Sequence, residues 1–138
     1  MIEQTVAKWH DVVAGKGDLD ALLADDVVFV SPIVFTPQKG KDLAKLYLGA
    51  AGATIGGDEK QGGGGRKFRY VKQVLDHPHA VLEFETEMEG KYVNGVDILT
   101  CDDDDRIVEF RVMIRPLQAI QLVHRQMAAM IERMKGGG

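Results

Sequence analysis

The chain has 138 residues, 45% apolar and 28% charged, enough for one domain with its own core but not for two ordinary ones. Seventeen basic against twenty-one acidic side chains give a formal charge of −4, so there is no electrostatic handle for DNA, RNA or an anionic membrane surface. The N-terminus lacks both a basic region and a long apolar stretch, and one cysteine, Cys101, can close no internal disulfide, which together point to the cytoplasm.

In chain order, Ile2, Val6, Trp9 and Val13 recur every three or four residues and predict a helix from Ile2 to about Ala14, with His10 beside its apolar face. Gly15-Lys16-Gly17 ends it. Asp18 is placed to cap a short second helix, Leu19 to Ala24. Val27 to Val30 reads as a strand, and Pro32 and Pro37 bracket an extended Ile33-Val34-Phe35. A third helix follows Gly40, with Leu43, Leu46 and Tyr47 on one face and Gly49 and Gly52 at its end. Residues 53 to 66 contain six glycines and no hydrophobic period, and predict a mobile surface loop.

Four strands are then expected, Lys67 to Leu75, His79 to Glu89, Tyr92 to Cys101 and Ile107 to Arg115, joined by turns short enough to require antiparallel hairpins. Leu82, Phe84, Thr86 and Met88 alternate with glutamates, and Val108, Phe110, Val112 and Ile114 stand against Glu109, Arg111 and Arg115, so one sheet face is buried and the other is charged. A last helix, Leu117 to Met134, carries Ile120, Val123, Met127 and Met130 at helical spacing. It either covers its own chain or packs on a second subunit, and the second is preferred. The whole is an α+β domain over residues 1–135 with a glycine tail at 136–138.

Several patterns carry no chemistry. His77-Pro78-His79 falls in a turn with no third metal ligand, and Asp102 to Asp105 lacks the glycine and terminal glutamate of a calcium loop and suits an Asx turn. Gly62 to Gly65 is not followed by the Lys-Ser/Thr of a phosphate loop, which leaves an inert connector or a gate over a pocket mouth. No spacing indicates a metal or an organic cofactor. Asp97, between Val96 and Ile98, either faces inward, where desolvation favours its neutral form, or faces solvent beside a cation.

Gly17-Asp18-Leu19-Asp20, Ala24-Asp25-Asp26, Ser31-Pro32 with Gly40, and Val96-Asp97 nine residues ahead of Arg106-Ile107 make the chain resemble the NTF2-like superfamily over residues 5 to 116. That superfamily includes ketosteroid isomerase, the SnoaL-type cyclases and limonene-epoxide hydrolase. The resemblance implies a cone, with a curved and mainly antiparallel sheet wrapped around the N-terminal helices, here with an extra C-terminal helix, and a frequent homodimer. It implies an apolar pocket for a small hydrophobic molecule, lined by Trp9, Phe29, Ile33, Tyr47, Leu82, Phe84, Val112 and Ile114, with Ser31 in contact with the ligand.

By the same resemblance Asp97 matches the isomerase's protonated, hydrogen-bond-donating aspartic acid, and His10 falls where its oxyanion-hole tyrosine stands. The isomerase's general base is replaced by Ser31, a hydroxyl too weak to take a proton from carbon unaided, and the Arg-x-Asp of the epoxide hydrolase is absent. The expectation is therefore an isomerase, cyclase or hydratase using Asp97 as acid or hydrogen-bond donor with His10 as its partner. The alternative is a non-catalytic binding or dimerisation module.

Overall fold

The computed structural model describes residues 1–54 and 68–136. Its elements are α1 (Ile2–Val13), α2 (Leu19–Leu22), β1 (Leu23–Val30), β2 (Gln38–Lys39), α3 (Lys41–Thr54), β3 (Arg69–Asp76), β4 (His79–Met88), β5 (Lys91–Cys101), β6 (Ile107–Arg115) and α4 (Leu117–Gly136). The six strands form one sheet in the order β2-β1-β6-β5-β4-β3. Only the β1–β6 pair is parallel; every other neighbour is antiparallel. The expected glycine-rich loop lies, beyond residue 54, outside the described residues.

Side-chain alternation decides the layers. Even positions of β4 and odd positions of β5 are buried, because β4 and β5 pair Leu82 with Asp97 and Phe84 with Gly95 on the same face. On β6 the buried set is Ile107, Phe110 and Ile114, not a strict alternation through Val108, because the β5–β6 register shifts between Thr100 and Cys101. All four helices pack on this inner face. Ile2, Val6, Trp9, Leu23, Phe29, Ala44, Leu48, Leu82, Leu99 and Phe110 form one core cluster, and Phe84, Met88, Val93, Ile114, Ala119, Leu122 and Val123 a second.

Four local expectations are corrected. Val13 is exposed while Val12 packs on the core, because a side chain at Gly17 would lie 2.8 Å from the Val12 backbone and the chain reversal closes there. The second helix is a single turn, capped by Asp18 Oδ1 accepting from the Ala21 N–H at 3.2 Å, and the first strand begins at Leu23, four residues earlier than Val27. Leu23 pairs with Ile107, and an irregularity before Val28 leaves Asp25 and Asp26 exposed, with Lys41 3.3 Å from Asp25. Residues 33–35 are not a strand; the short β2 at Gln38–Lys39 pairs with β1 instead.

The fourth concerns α3, which continues through Gly49 and Gly52 to Thr54 and buries Ala44, Leu48 and Ala50 while Leu43 stays exposed. Two helix glycines cost about 1 kcal/mol each. Packing against α4 offsets that: a side chain at Gly49 would touch Met134 at 3.5 Å, and Thr54 Oγ1 donates to the Ala50 carbonyl at 2.9 Å. The turn at Asp102 is the expected Asx turn, with Oδ1 accepting from the Asp104 and Arg106 N–H groups at 2.9 and 3.0 Å.

Gly95 on the inner face is closely approached by the Phe84 ring. A Cβ there would meet Phe84 Cζ and the Met113 carbonyl oxygen, each at 2.5 Å. Gly95→Ala is expected to lower stability by about 1–3 kcal/mol through overpacking, measured by urea denaturation. An unchanged midpoint and slope would show that this face has slack.

Candidate functional site

Three elements converge on one carboxyl group. Asp97 is carried on β5 at an inward position between Leu82 of β4 and Val112 of β6, and is 6% exposed. Tyr70 of β3 donates its hydroxyl to Asp97 Oδ2 at 2.6 Å, and Trp9 of α1 donates its indole N–H to the Tyr70 oxygen at 2.8 Å. Indole nitrogen can only donate. The Tyr70 oxygen therefore accepts from Trp9, and its own hydrogen is directed to Asp97. With Oδ2 accepting from Tyr70, Oδ1 is the carboxyl oxygen that Tyr70 leaves free.

The surroundings are apolar and aromatic. Trp9 meets Phe110 edge-on at 4.8 Å, Phe110 lies 6.1 Å from Phe29, and Phe29 stacks on Tyr47 at 5.6 Å. On the other side Phe68 packs on Tyr70 at 5.2 Å and stacks on Phe84 at 5.1 Å. Burial raises the Asp97 carboxyl to about 7, with the Tyr70 hydrogen bond acting in the opposite direction. Burial also pushes the Tyr70 hydroxyl well above its usual range, reinforced by the neighbouring Asp97. Among the described residues no three His, Cys, Asp or Glu side chains converge as a metal site, and no helix is long and apolar enough to cross a membrane.

Of the residues singled out from sequence, Trp9, Phe29, Leu82, Phe84 and Ile114 are buried on the inner face, with Tyr47 and Val112 partly buried against the core. His10 does not partner Asp97 in a hydrogen bond the structure shows. Its Nε2 bonds Gln73 Oε1 at 3.1 Å and its ring lies edge-on to Tyr70 at 5.4 Å, so it buttresses the tyrosine from outside. Ser31 Oγ accepts from the Ile33 and Val34 N–H groups at 2.9 and 3.3 Å and ties down the turn after β1. Ile33 belongs to that turn and to neither core cluster.

Ser31, Val112 and Ile114 line an open cleft of about 240 Å³ together with Val30, Pro32, Arg111 and Met113. Asp97 is not part of its lining. Val112 links the two, since it lines the cleft and is the register partner of Asp97.

Sequence reasoning missed Tyr70, Phe68 and Phe110 as site residues. Phe68 and Tyr70 show the period of two on either side of Arg69, but the β3–β4 register shift between Tyr70 and Lys72 breaks the alternation that would have marked Tyr70 as inward.

Known structures share this architecture. A steroid delta-isomerase from Pseudomonas aeruginosa is similar over 98% of this chain and 94% of its own, with 28% identity and a TM-score of 0.86. A protein conserved in bacteria with a cystatin-like fold, from Silicibacter pomeroyi, has 30% identity over 91% of this chain and 83% of its own, with a TM-score of 0.77. An NTF2-like protein from Mesorhizobium loti has the same fold at 17% identity and a TM-score of 0.67, covering 83% of this chain and 91% of its own. The chain belongs to the NTF2-like superfamily. No family model and no curated protein matches it. Within this NTF2-like chain, the position before Pro32 holds a serine engaged with its own turn, whereas the inward carboxyl on β5 is present and partnered.

The raised Asp97 carboxyl has a consequence for folding. In the unfolded chain it ionises near 3.8, and in the folded chain near 7. Between those values the folded chain holds one proton more, so stability falls as pH rises through that window, by about 4 kcal/mol at about 1.4 kcal/mol per unit. Asp20 and Asp105, held below the usual range by Lys45 and the N-terminal ammonium, lose their contributions only at lower pH. Urea denaturation at pH 5 and pH 8, which span about two units of that window, is expected to show a loss of about 3 kcal/mol in the wild type and not in Asp97→Asn. Equal slopes in the two proteins would contradict a protonated Asp97.

Proposed function

We propose that this chain binds a small, largely apolar organic molecule against the aromatic inner face, and that neutral Asp97 donates from Oδ1 to a carbonyl-type oxygen of that molecule. The observation that carries the reading is the chain Trp9 to Tyr70 to Asp97, which engages Oδ2 and leaves Oδ1 free of Tyr70. A carboxyl near 7 has both protonation states within reach at neutral pH. It can give a proton to a developing enol oxygen and accept one back, the step common to isomerases, cyclases and hydratases. The likeness to a steroid delta-isomerase supports this class.

A second reading is favoured by one observation. Ser31 Oγ accepts from two backbone N–H groups, and among the described residues no second carboxylate or imidazole is hydrogen-bonded to Asp97, so within them the pair of groups that most proton transfers at carbon employ is incomplete. The same pocket would then hold its ligand unchanged.

One probe separates the two. 2-Acetylnaphthalene is an apolar aryl ketone with exchangeable protons next to its carbonyl. Binding followed by calorimetry is expected to weaken about tenfold in Asp97→Leu, the value of one hydrogen bond, and to weaken in the wild type as pH rises past about 7 with loss of the Oδ1 proton. Solvent deuterium entering the acetyl methyl group, abolished in Asp97→Leu, supports acid–base catalysis. Binding without exchange supports the second reading, and no binding at millimolar concentration contradicts both.

A further inference from the structure

Asp97 is 6% exposed and does not line the open cleft, so a ligand at its carboxyl has to take space that the protein's own side chains fill. Those side chains are not held equally. Phe29, Phe84 and Phe110 are at most 2% exposed, and Phe84 is also closely approached by the Gly95 backbone. Trp9 and Tyr70 are tied by directed hydrogen bonds, the second of which ends on Asp97. Phe68 stands apart from these. It precedes β3, is half-buried, and is held through ring and apolar contacts: stacked on Phe84 at 5.1 Å, edge-on to Tyr70 at 5.2 Å, and packed against the second core cluster.

We propose that the Phe68 ring is a plug, which fills the place beside Phe84 that a ring of the ligand takes by displacing it. The inference rests on the reading of the inner face as a small-molecule site and adds the residue that guards it. Rotation about its own side-chain torsions is enough to free the ring. Arg69, the next residue, anchors the strand through its register with Glu85 and an ion pair of 2.8 Å, so the β3–β4 ladder stays whole. The place the ring leaves has Phe84 stacked on one side and Tyr70 edge-on at another, an arrangement that suits a planar apolar ring. It also leads toward the carboxyl. Phe84 is the register partner of Gly95, and Asp97 stands two residues further along β5 on the same face, about 7 Å away. Gly95 puts no side chain between the two, so a carbonyl carried on a ring beside Phe84 has a path to Asp97.

The plug has a signature in affinity. Ring and ligand compete for one place, so the Kd observed for the wild type is the intrinsic Kd divided by the fraction of molecules whose plug is out. Truncating Phe68 removes the competitor and leaves an apolar cavity of the kind that takes up small aromatic molecules. A ring with a merely structural role behaves in the opposite sense, because its loss loosens the wall and weakens binding.

The test pairs two one-ring probes, ethylbenzene and acetophenone, which differ by the carbonyl. Calorimetry is expected to give a Kd at least fivefold lower for both probes in Phe68→Ala than in the wild type, with an unchanged circular dichroism spectrum. A second measurement does not depend on that variant. 4-Fluorophenylalanine placed at residue 68 alone is expected to carry its fluorine resonance to the solvent-exposed position as acetophenone saturates the protein. Tighter ethylbenzene binding in Phe68→Ala, with no preference for acetophenone in either protein, would uphold the plug and contradict Asp97 as hydrogen-bond donor. Ethylbenzene binding that is unchanged or weaker in Phe68→Ala, a fluorine resonance that stays in place at saturation, or no binding of either probe at millimolar concentration by either protein would each overturn the plug.

Discussion

A carboxyl group enclosed by Leu82, Val112 and an aromatic face cannot stay charged there without a partner, and this chain supplies a neutral one. Tyr70 gives Asp97 one hydrogen bond and no compensating charge, so the group is left at the balance point where burial and hydrogen bonding oppose each other. A lysine or arginine in place of Tyr70 would lock the carboxylate form and remove the donor. An unpartnered acid would lose its fixed orientation. The interaction therefore opposes the effect of burial on the carboxyl and engages one of its two oxygens.

The rest of the fold holds that geometry in place. Trp9 reaches Tyr70 only because Ile2, Val6 and Trp9 form the buried stripe of α1, and α1 is positioned by contacts at both ends. At its start the Ile2 N–H donates to His77 Nδ1 at 3.0 Å, and Thr5 Oγ1 donates to the Asp105 carbonyl at 2.9 Å. At its end Gly17 allows the chain to fold back on Val12. The turn residues His77 and Asp105, far from the site in sequence, thus help to aim the indole. On the opposite side α4 covers Phe84 and Ile114, and Gly95 leaves room for the Phe84 ring over β5.

Much of this was legible in the sequence. The element order, the hairpins and the inward set on β4 follow from alternation and turn chemistry, because a period of two with glutamates between apolar residues has only one sensible orientation. Asp97 could be singled out but not placed, since an aspartate between Val96 and Ile98 fits either parity until its strand is registered against Leu82 and Val112. His10 was drawn toward Asp97 by analogy of position, yet α1 presents Trp9 inward and leaves His10 at the rim against Gln73. Tyr70 was hidden by a strand irregularity that alternation cannot anticipate. The length of α3 was hidden for a different reason: Gly49 and Gly52 oppose a helix locally, and only the packing of α4 supplies what offsets them.

The proposed hydrogen-bond donation requires Asp97 to be an uncharged acid in the folded protein near neutral pH, and the carboxyl vibration reports that state directly. An infrared difference spectrum between wild type and Asp97→Asn at pH 6 should contain the C=O stretch of one protonated, hydrogen-bonded carboxylic acid, and that band should give way to carboxylate bands as pH is raised past about 7. A difference spectrum holding only carboxylate bands at pH 6 would contradict the account, because Asp97 would then have no proton to donate.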